Sequence, residues 1–327
     1  MIIAMDYLYD QCRDRIEFAK QLGVTHAVIN VARKWHKISD SERPWEYVPL
    51  LQKIKKFEDI GFTVSVVEGP TPLDNTKLGL AGRDEEIEAF QTLLRTLGQL
   101  NIRTVCYNWM PIVGWFRTNT DVPTRGGARA TAYHHELMKN APLTEAGVVS
   151  ADTMWKNLEY FLKAVVPVAE EAGVNLAIHP DDPPVDSLMG ISRILTNADA
   201  FQRVIDMVPS KYNGITLCQG SFATMGEDVP REIVRFGKQN KIFFSHFRDI
   251  RGTAESFEEA FHDEGQTDMY RCMKSYYEIG YKGCMRPDHV PAMWGEENES
   301  PGYSILGNLF AVGYMKGLME AASKEIG

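Results

Sequence analysis

Eight short β-branched or aliphatic runs recur along this chain, each separated from the next by a longer segment with helical spacing. That alternation limits the fold more than any other feature. The runs are Ile2–Met5, His26–Ala32, Phe62–Val67, Thr104–Tyr107, Val174–Ile178, Gly214–Leu217, Ile242–Ser245 and Gly283–Arg286. Between them apolar residues fall at i, i+3, i+4 and i+7, as in Trp155, Leu158, Leu162 and Val165–Val166, which is the stripe of an amphipathic helix. Gly23, Gly61, Gly173 and Gly280 stand just before the next strand, where a helix ends with least strain in a residue tolerant of positive φ.

Strands alternating with helices imply parallel strands and right-handed crossovers, hence a doubly wound sheet or a closed barrel. A nucleotide-binding sheet would carry GxGxxG or GxxxxGK[ST] after its first strand, and neither occurs. Eight units favour an α/β fold of the (β/α)8 TIM-barrel type. The 327 residues suit two ordinary domains or one decorated barrel. Alternation from end to end points to the second, a single domain over 1–327. Residues 111–147, after the fourth strand, break the rhythm with Arg117-Thr118-Asn119-Thr120 and Thr124-Arg125-Gly126-Gly127. They read as a long loop, a lid or an oligomer contact inserted at the catalytic end.

Charge and cysteines narrow the partners. Thirty-five Lys and Arg against 44 Asp and Glu give a net charge of −9, which disfavours nucleic acid and anionic membranes. A small anionic substrate needs only a locally positive site. The five cysteines, Cys12, Cys106, Cys218, Cys272 and Cys284, are scattered and form no CxxC pair, as expected in a reducing compartment. Residues 1–6 lack the basic and apolar regions of a signal peptide, and the apolar stretch from Tyr303 to Met319 is interrupted by Asn308 and Lys316. A cytoplasmic protein is expected.

The polar residue closing each of the last four strands is a metal-ligand type: His179, Cys218, His246 and Asp288. Taken singly, each has an ordinary explanation: a structural histidine, a small buried cysteine, an aspartate helix cap. Taken together they fall at the C-terminal strand ends, where barrel active sites lie. Thiolate and imidazole suit Zn²⁺, Fe²⁺ or Co²⁺, and an expandable site that also binds substrate oxygens suits Mn²⁺. Asp181 and Asp182 after His179, and His289 after Asp288, supply neighbours that orient ligands.

The motifs HPDDPP (179–184), GxxRI (190–194), LCQGS (217–221), SHFRD (245–249), FHDEGQTDM (261–269) and RPDH (286–289) resemble those of the D-mannonate dehydratases. The resemblance extends through VSVVEG (64–69), KLGLxGRDEEIE (77–88), CYNWMP (106–111), WFRT (115–118) and PGYSxLGNLFAVGYMKGL (301–318). It covers essentially the whole chain. It implies a TIM barrel similar in layout to the xylose-isomerase-like barrels, acting in hexuronate (glucuronate) catabolism. The family removes water from D-mannonate to give 2-keto-3-deoxy-D-gluconate with a divalent metal, usually Mn²⁺; Fe²⁺, Co²⁺, Mg²⁺ and Zn²⁺ stay open. It also implies His179, Cys218, His246 and Asp288 as metal ligands and His289 and Tyr303 as the proton-transfer pair. Only about thirty residues separate WFRT from the next helix, so the insertion is shortened relative to many members.

Dehydrating an aldonic acid requires removing the C2 proton and expelling the 3-hydroxyl, with metal and an acid–base pair to assist. Asn108 is a candidate hydroxyl-reading amide. Arg193 and Arg248 are candidates for the carboxylate or hydroxyls and equally for structural ion pairs. A homo-oligomer is expected. The alternatives are a metal-dependent sugar or sugar-acid isomerase or epimerase, a silent sugar-acid-binding relative and, more remotely, a barrel nuclease.

Overall fold

The computed structural model describes residues 1–6, 8, 13–31, 43–298 and 300–326. Cys12 and Ala32, the end of one expected strand, lie outside them. The first half runs β1 (Ile2–Met5), α1 (Arg13–Gln21), β2 (His26–Ile29), α2 (Tyr47–Asp59), β3 (Thr63–Glu68), α3 (Asp74–Leu78), α4 (Arg83–Gln99), β4 (Thr104–Tyr107), β5 (Asn119–Pro123), β6 (Arg129–His134) and α5 (Ala151–Ala172). The second half runs β7 (Asn175–Ile178), β8 (Ser187–Leu188), β9 (Ile191–Ser192), α6 (Ala198–Met207), β10 (Asn213–Cys218), α7 (Gln219–Thr224) and α8 (Val229–Gly237). It continues through β11 (Ile242–Phe247), β12 (Ile250–Thr253), β13 (Ser256–Glu259), α9 (Met269–Glu278), β14 (Cys284–Pro287) and α10 (Ile305–Ile326).

Strands β1, β2, β3, β4, β7, β10, β11 and β14 close into a parallel barrel in sequence order. All eight expected runs are therefore barrel strands. The local signals act as expected: Gly23, Gly61, Gly173 and Gly280 have φ of 70°, 92°, 66° and 65°. Ser150, Asn197, Asp228 and Asp268 cap α5, α6, α8 and α9 by accepting a backbone N–H three residues on.

Inside the barrel lies a small layer of Ala4, Val28, Val66, Cys106, Ala177, Phe244 and Cys284. Cys106 and Cys284 serve there as small hydrophobes, and burial pushes both thiols up, Cys284 to about 12. The larger core fills the space between barrel and helices. Phe161 on α5 sits at its centre, with ring centroids 5.1 Å from Phe90, 5.5 Å from Tyr107 and 5.3 Å from Trp109. Truncation to Phe161→Ala should cost about 3–5 kcal/mol, measured by denaturant unfolding.

Residues 111–147 differ from the expected long loop. They hold β5 and β6, which continue into an antiparallel sheet of order β12-β13-β6-β5, with Phe257 opposite Tyr133 and Glu258 opposite Ala132. The strand that completes β6 lies more than a hundred residues downstream, so no local pattern announces the pairing. Among the described residues, no helix is long and apolar enough to cross a membrane.

Candidate metal centre and active site

Parallel strands deliver the expected ligands to one place. His179 follows β7, Cys218 ends β10, His246 lies in β11 and Asp288 follows β14; register sets Cys218 directly beside His246. One ligand atom from each of His179, Cys218 and His246 lies within 4.8 Å of the others. His179 Nε2 is 3.1 Å from His246 Nδ1, and Asp288 Oδ2 is 3.5 Å from that same nitrogen and 3.8 Å from Cys218 Sγ.

The outer partners orient these rings. His179 Nδ1 is 2.8 Å from the Pro180 carbonyl oxygen; that oxygen only accepts, so Nδ1 carries a proton and donates there, which aims Nε2 at the centre. Glu68 Oε1 lies 3.2 Å from His246 Nε2, which turns Nδ1 towards the centre. Burial pushes the Cys218 thiol up, but hydrogen bonds from His179 and His246 and the Arg248 charge outweigh it and hold it well below its ordinary value. Burial likewise opposes ionisation of Asp288, and the charges of His289 and Arg286 hold it well below the carboxylate range. A thiolate, a carboxylate and two imidazole nitrogens converging away from bulk water form a donor set that fits a divalent cation. Changing Glu68→Gln should weaken metal affinity by about 10–100-fold, read by competition with a chromogenic chelator.

Beside this centre stands the expected proton-transfer pair. His289 has φ 44°, a left-handed backbone uncommon outside glycine and typical of functional sites. It is held by Val290 N–H donating to Gly302 O at 2.8 Å and by pairing of Val290 with Tyr303. That pairing sets Tyr303 Oη 3.1 Å from His289 Nε2. The two residues line a cavity of about 130 Å³ together with His179, His246, Asp288 and Asn108. A larger cavity of about 450 Å³, beside Asn101, Arg103 and Lys282 at the opposite end of the barrel, contains none of the candidate ligands.

A buried quartet forms the wall behind His289. Arg117 donates to both oxygens of Asp182 at 2.6 and 2.9 Å and to Glu259 Oε1 at 2.6 Å. Arg248 donates to both oxygens of Glu259 at 2.9 and 2.6 Å and to Asp182 Oδ2 at 2.8 Å. Two cations balance two anions, so the quartet is neutral. Burial raises the Glu259 carboxyl, yet Arg248, His289 and Arg117 bring it from 4.5 to about 2. Its folded pKa is depressed, so its contribution to stability is present above the unfolded value and is lost as pH falls from about 4.5 to about 2. Circular dichroism across that window should show acid unfolding, and Asp182→Ala, which strands buried guanidinium charge, should cost about 3–5 kcal/mol at neutral pH.

The remaining expected residues divide. Asn108 lines the cavity; its Oδ1 accepts from Lys77 Nζ and Met110 N, both at 3.1 Å. Arg248 is committed to the quartet. Arg193 donates to the Val113 and Gly114 carbonyls at 2.8 and 3.3 Å and faces Asp181 at 3.7 Å. Neither guanidinium lines the cavity. Arg286, not singled out in the sequence, does line it: it donates to Glu68 at 2.9 and 3.1 Å and to Asp288 Oδ1 at 2.8 Å. Glu68, Arg117 and Arg286 stand inside motifs noted above; Glu259 carried no signal.

Fold and site together define a (β/α)8-barrel protein with a candidate metal centre at its C-terminal mouth. The model of the D-mannonate dehydratase (UxuA) family matches residues 13–147 and 142–326. The chain belongs to this family. It is 33% identical to mannonate dehydratase 2 of Halalkalibacterium halodurans, with 99% of the chain and 100% of that protein covered. It is 35% identical to the mannonate dehydratase of Thermotoga neapolitana, covering 86% and 87%. The crystal structure of mannonate dehydratase from Streptococcus suis serotype 2 superposes with a TM-score of 0.89 at 31% identity, over 100% of this chain and 94% of that one. A D-tagatose 3-epimerase-like protein, at 15% identity and a TM-score of 0.64, shares the barrel alone. The H. halodurans alignment runs to 355 positions, 28 more than this chain has residues, so part of that relative lies opposite gaps. The two family-matched segments meet at 142–147, the end of the insertion expected to be short.

Proposed function

We propose that this protein dehydrates D-mannonate, or a closely related aldonic acid, to 2-keto-3-deoxy-D-gluconate. His179, Cys218, His246 and Asp288 hold a divalent ion, Mn²⁺ in first place, and His289 and Tyr303 move the protons. The observation that carries this reading is the His289–Tyr303 pair, 3.1 Å apart, opening on the same cavity as His179, His246 and Asp288. The protein acts as one barrel domain, with residues 111–147 as its lid: Trp115 lines the cavity and its ring lies 5.2 Å from that of His289.

A divalent ion held there supplies Lewis acidity toward the substrate carboxylate and neighbouring hydroxyl. The chain's own groups do the rest. One member of the pair takes the C2 proton, and the C–H electrons become the C2–C3 double bond as the C3–O bond breaks. The other protonates the departing oxygen, so water leaves and the resulting enol becomes the ketone. Asn108 is placed to read a hydroxyl. Arg286 lines the cavity and offers positive charge there for an anionic substrate.

A panel of aldonic acids supplied with Mn²⁺ tests this. D-mannonate should give a 2-keto-3-deoxy acid with the highest kcat/KM of the panel. Silence across the panel with metal confirmed bound would remove the dehydratase reading.

A further inference from the structure

We infer that Glu259, carried by the lid sheet, is a positioning residue that fixes the tautomer of His289 and makes its Nε2 the proton-accepting atom of the site. The inference rests on the reading above, in which His289 moves a proton.

The contacts of this corner place an acceptor behind Nδ1. Glu259 Oε1 is 3.2 Å from His289 Nδ1, and Arg117 Nη2 is 3.4 Å from it. A guanidinium Nη carries two hydrogens. Those of Arg117 Nη2 go to Asp182 Oδ2 at 2.9 Å and Glu259 Oε1 at 2.6 Å, so none remains for the imidazole. Bracketed by two arginines, Glu259 is a carboxylate and only accepts. The proton between Glu259 and His289 therefore belongs to Nδ1, which makes Nε2, 3.1 Å from Tyr303 Oη and 3.6 Å from Asp288 Oδ1, the nitrogen free to exchange a proton. The tyrosine hydroxyl donates across that contact at rest. With substrate in the cavity beside them, His289 Nε2 receives the C2 proton and Tyr303 gives its proton to the leaving oxygen.

Glu259 reaches this position from β13, whose neighbour β6 belongs to the 111–147 segment, and Arg117 from that same segment holds it. The lid sheet thus determines which nitrogen of a barrel histidine is basic. A carboxylate behind a catalytic imidazole acts in this way elsewhere in enzymes, through tautomer and orientation and without taking the proton itself.

The test uses full-length protein carrying ¹⁵N-histidine and loaded with diamagnetic Zn²⁺, with His289 assigned by the signal lost in His289→Asn. The nitrogen shifts should show a protonated Nδ1 and a bare Nε2, and Glu259→Gln should change that pattern. In the Mn²⁺-loaded protein Glu259→Gln should lower kcat about 10–100-fold with KM and metal content unchanged, and should add nothing in the His289→Asn background. A wild-type ring protonated at Nε2 overturns the inference, with or without a foldable variant. So does an equal fall in turnover when Glu259→Gln is combined with His289→Asn, because that is the signature of a structural role. If instead His289→Asn keeps full turnover, the proton-transfer reading fails, and the tautomer measurement still decides the part played by Glu259.

Discussion

Replacing His289 with asparagine should lower kcat by about 10²–10⁴-fold, the range a positioned acid–base group supplies, and leave metal content unchanged. Asparagine retains a polar amide near Glu259 but offers no basic nitrogen to the C2 proton. Tyr303→Phe removes only the hydroxyl 3.1 Å from His289 Nε2, and its ring remains packed edge-on to the imidazole with centroids 5.4 Å apart. It should therefore fold as the parent does and lose turnover over the same range. The double variant should fall little further than the worse single one, since the two residues serve one elimination. Stopped or steady-state assays of keto-acid formation, alongside elemental analysis of bound metal, check all three. Retained turnover in both single variants would place the proton transfer elsewhere.

Removing the metal should be equally severe. Prolonged chelation should abolish dehydration, and adding Mn²⁺ back should restore it. Cys218→Ala and Asp288→Asn should each prevent that recovery at metal concentrations that saturate the parent protein. The geometry sets these apart from ordinary core changes. Asp288 lies 3.5 Å from His246 Nδ1 and 3.8 Å from Cys218 Sγ, so each substitution removes one anionic donor from a centre of four side chains. Because His179 Nε2 and His246 Nδ1 face each other at 3.1 Å, the parent should also gain thermal stability on metal binding by mass action, a rise absent in Cys218→Ala. Thermal melts with and without added metal measure it independently of any activity.

Much of this architecture is legible in the sequence because it follows from local periodicity. A buried parallel strand reads as an apolar run and an amphipathic helix as a 3.6-residue stripe, and both repeat eight times here. The convergence of the candidate ligands was legible for a related reason: strand ends in a closed parallel barrel share one mouth, so His179, Cys218, His246 and Asp288 had to come together once the strands were placed. What escaped depended on contacts between distant segments. Strand β6 finds its partner β13 more than a hundred residues away, and Glu259 reads as one more acid on a charged stretch until Arg117, Arg248 and His289 surround it. Arg193 and Arg248 failed to reach the cavity for the same reason. A guanidinium's position depends on which carboxylates and carbonyls are nearest in space, and spacing along the chain does not report that.

The most direct test of the account is the mass of the product formed from D-mannonate by the Mn²⁺-loaded protein. A single product lighter than the substrate by one water and reactive as a 2-keto acid is expected, absent after chelation and formed far more slowly with His289→Asn. A product of unchanged mass would identify an isomerase or epimerase on the same barrel and contradict the proposed elimination.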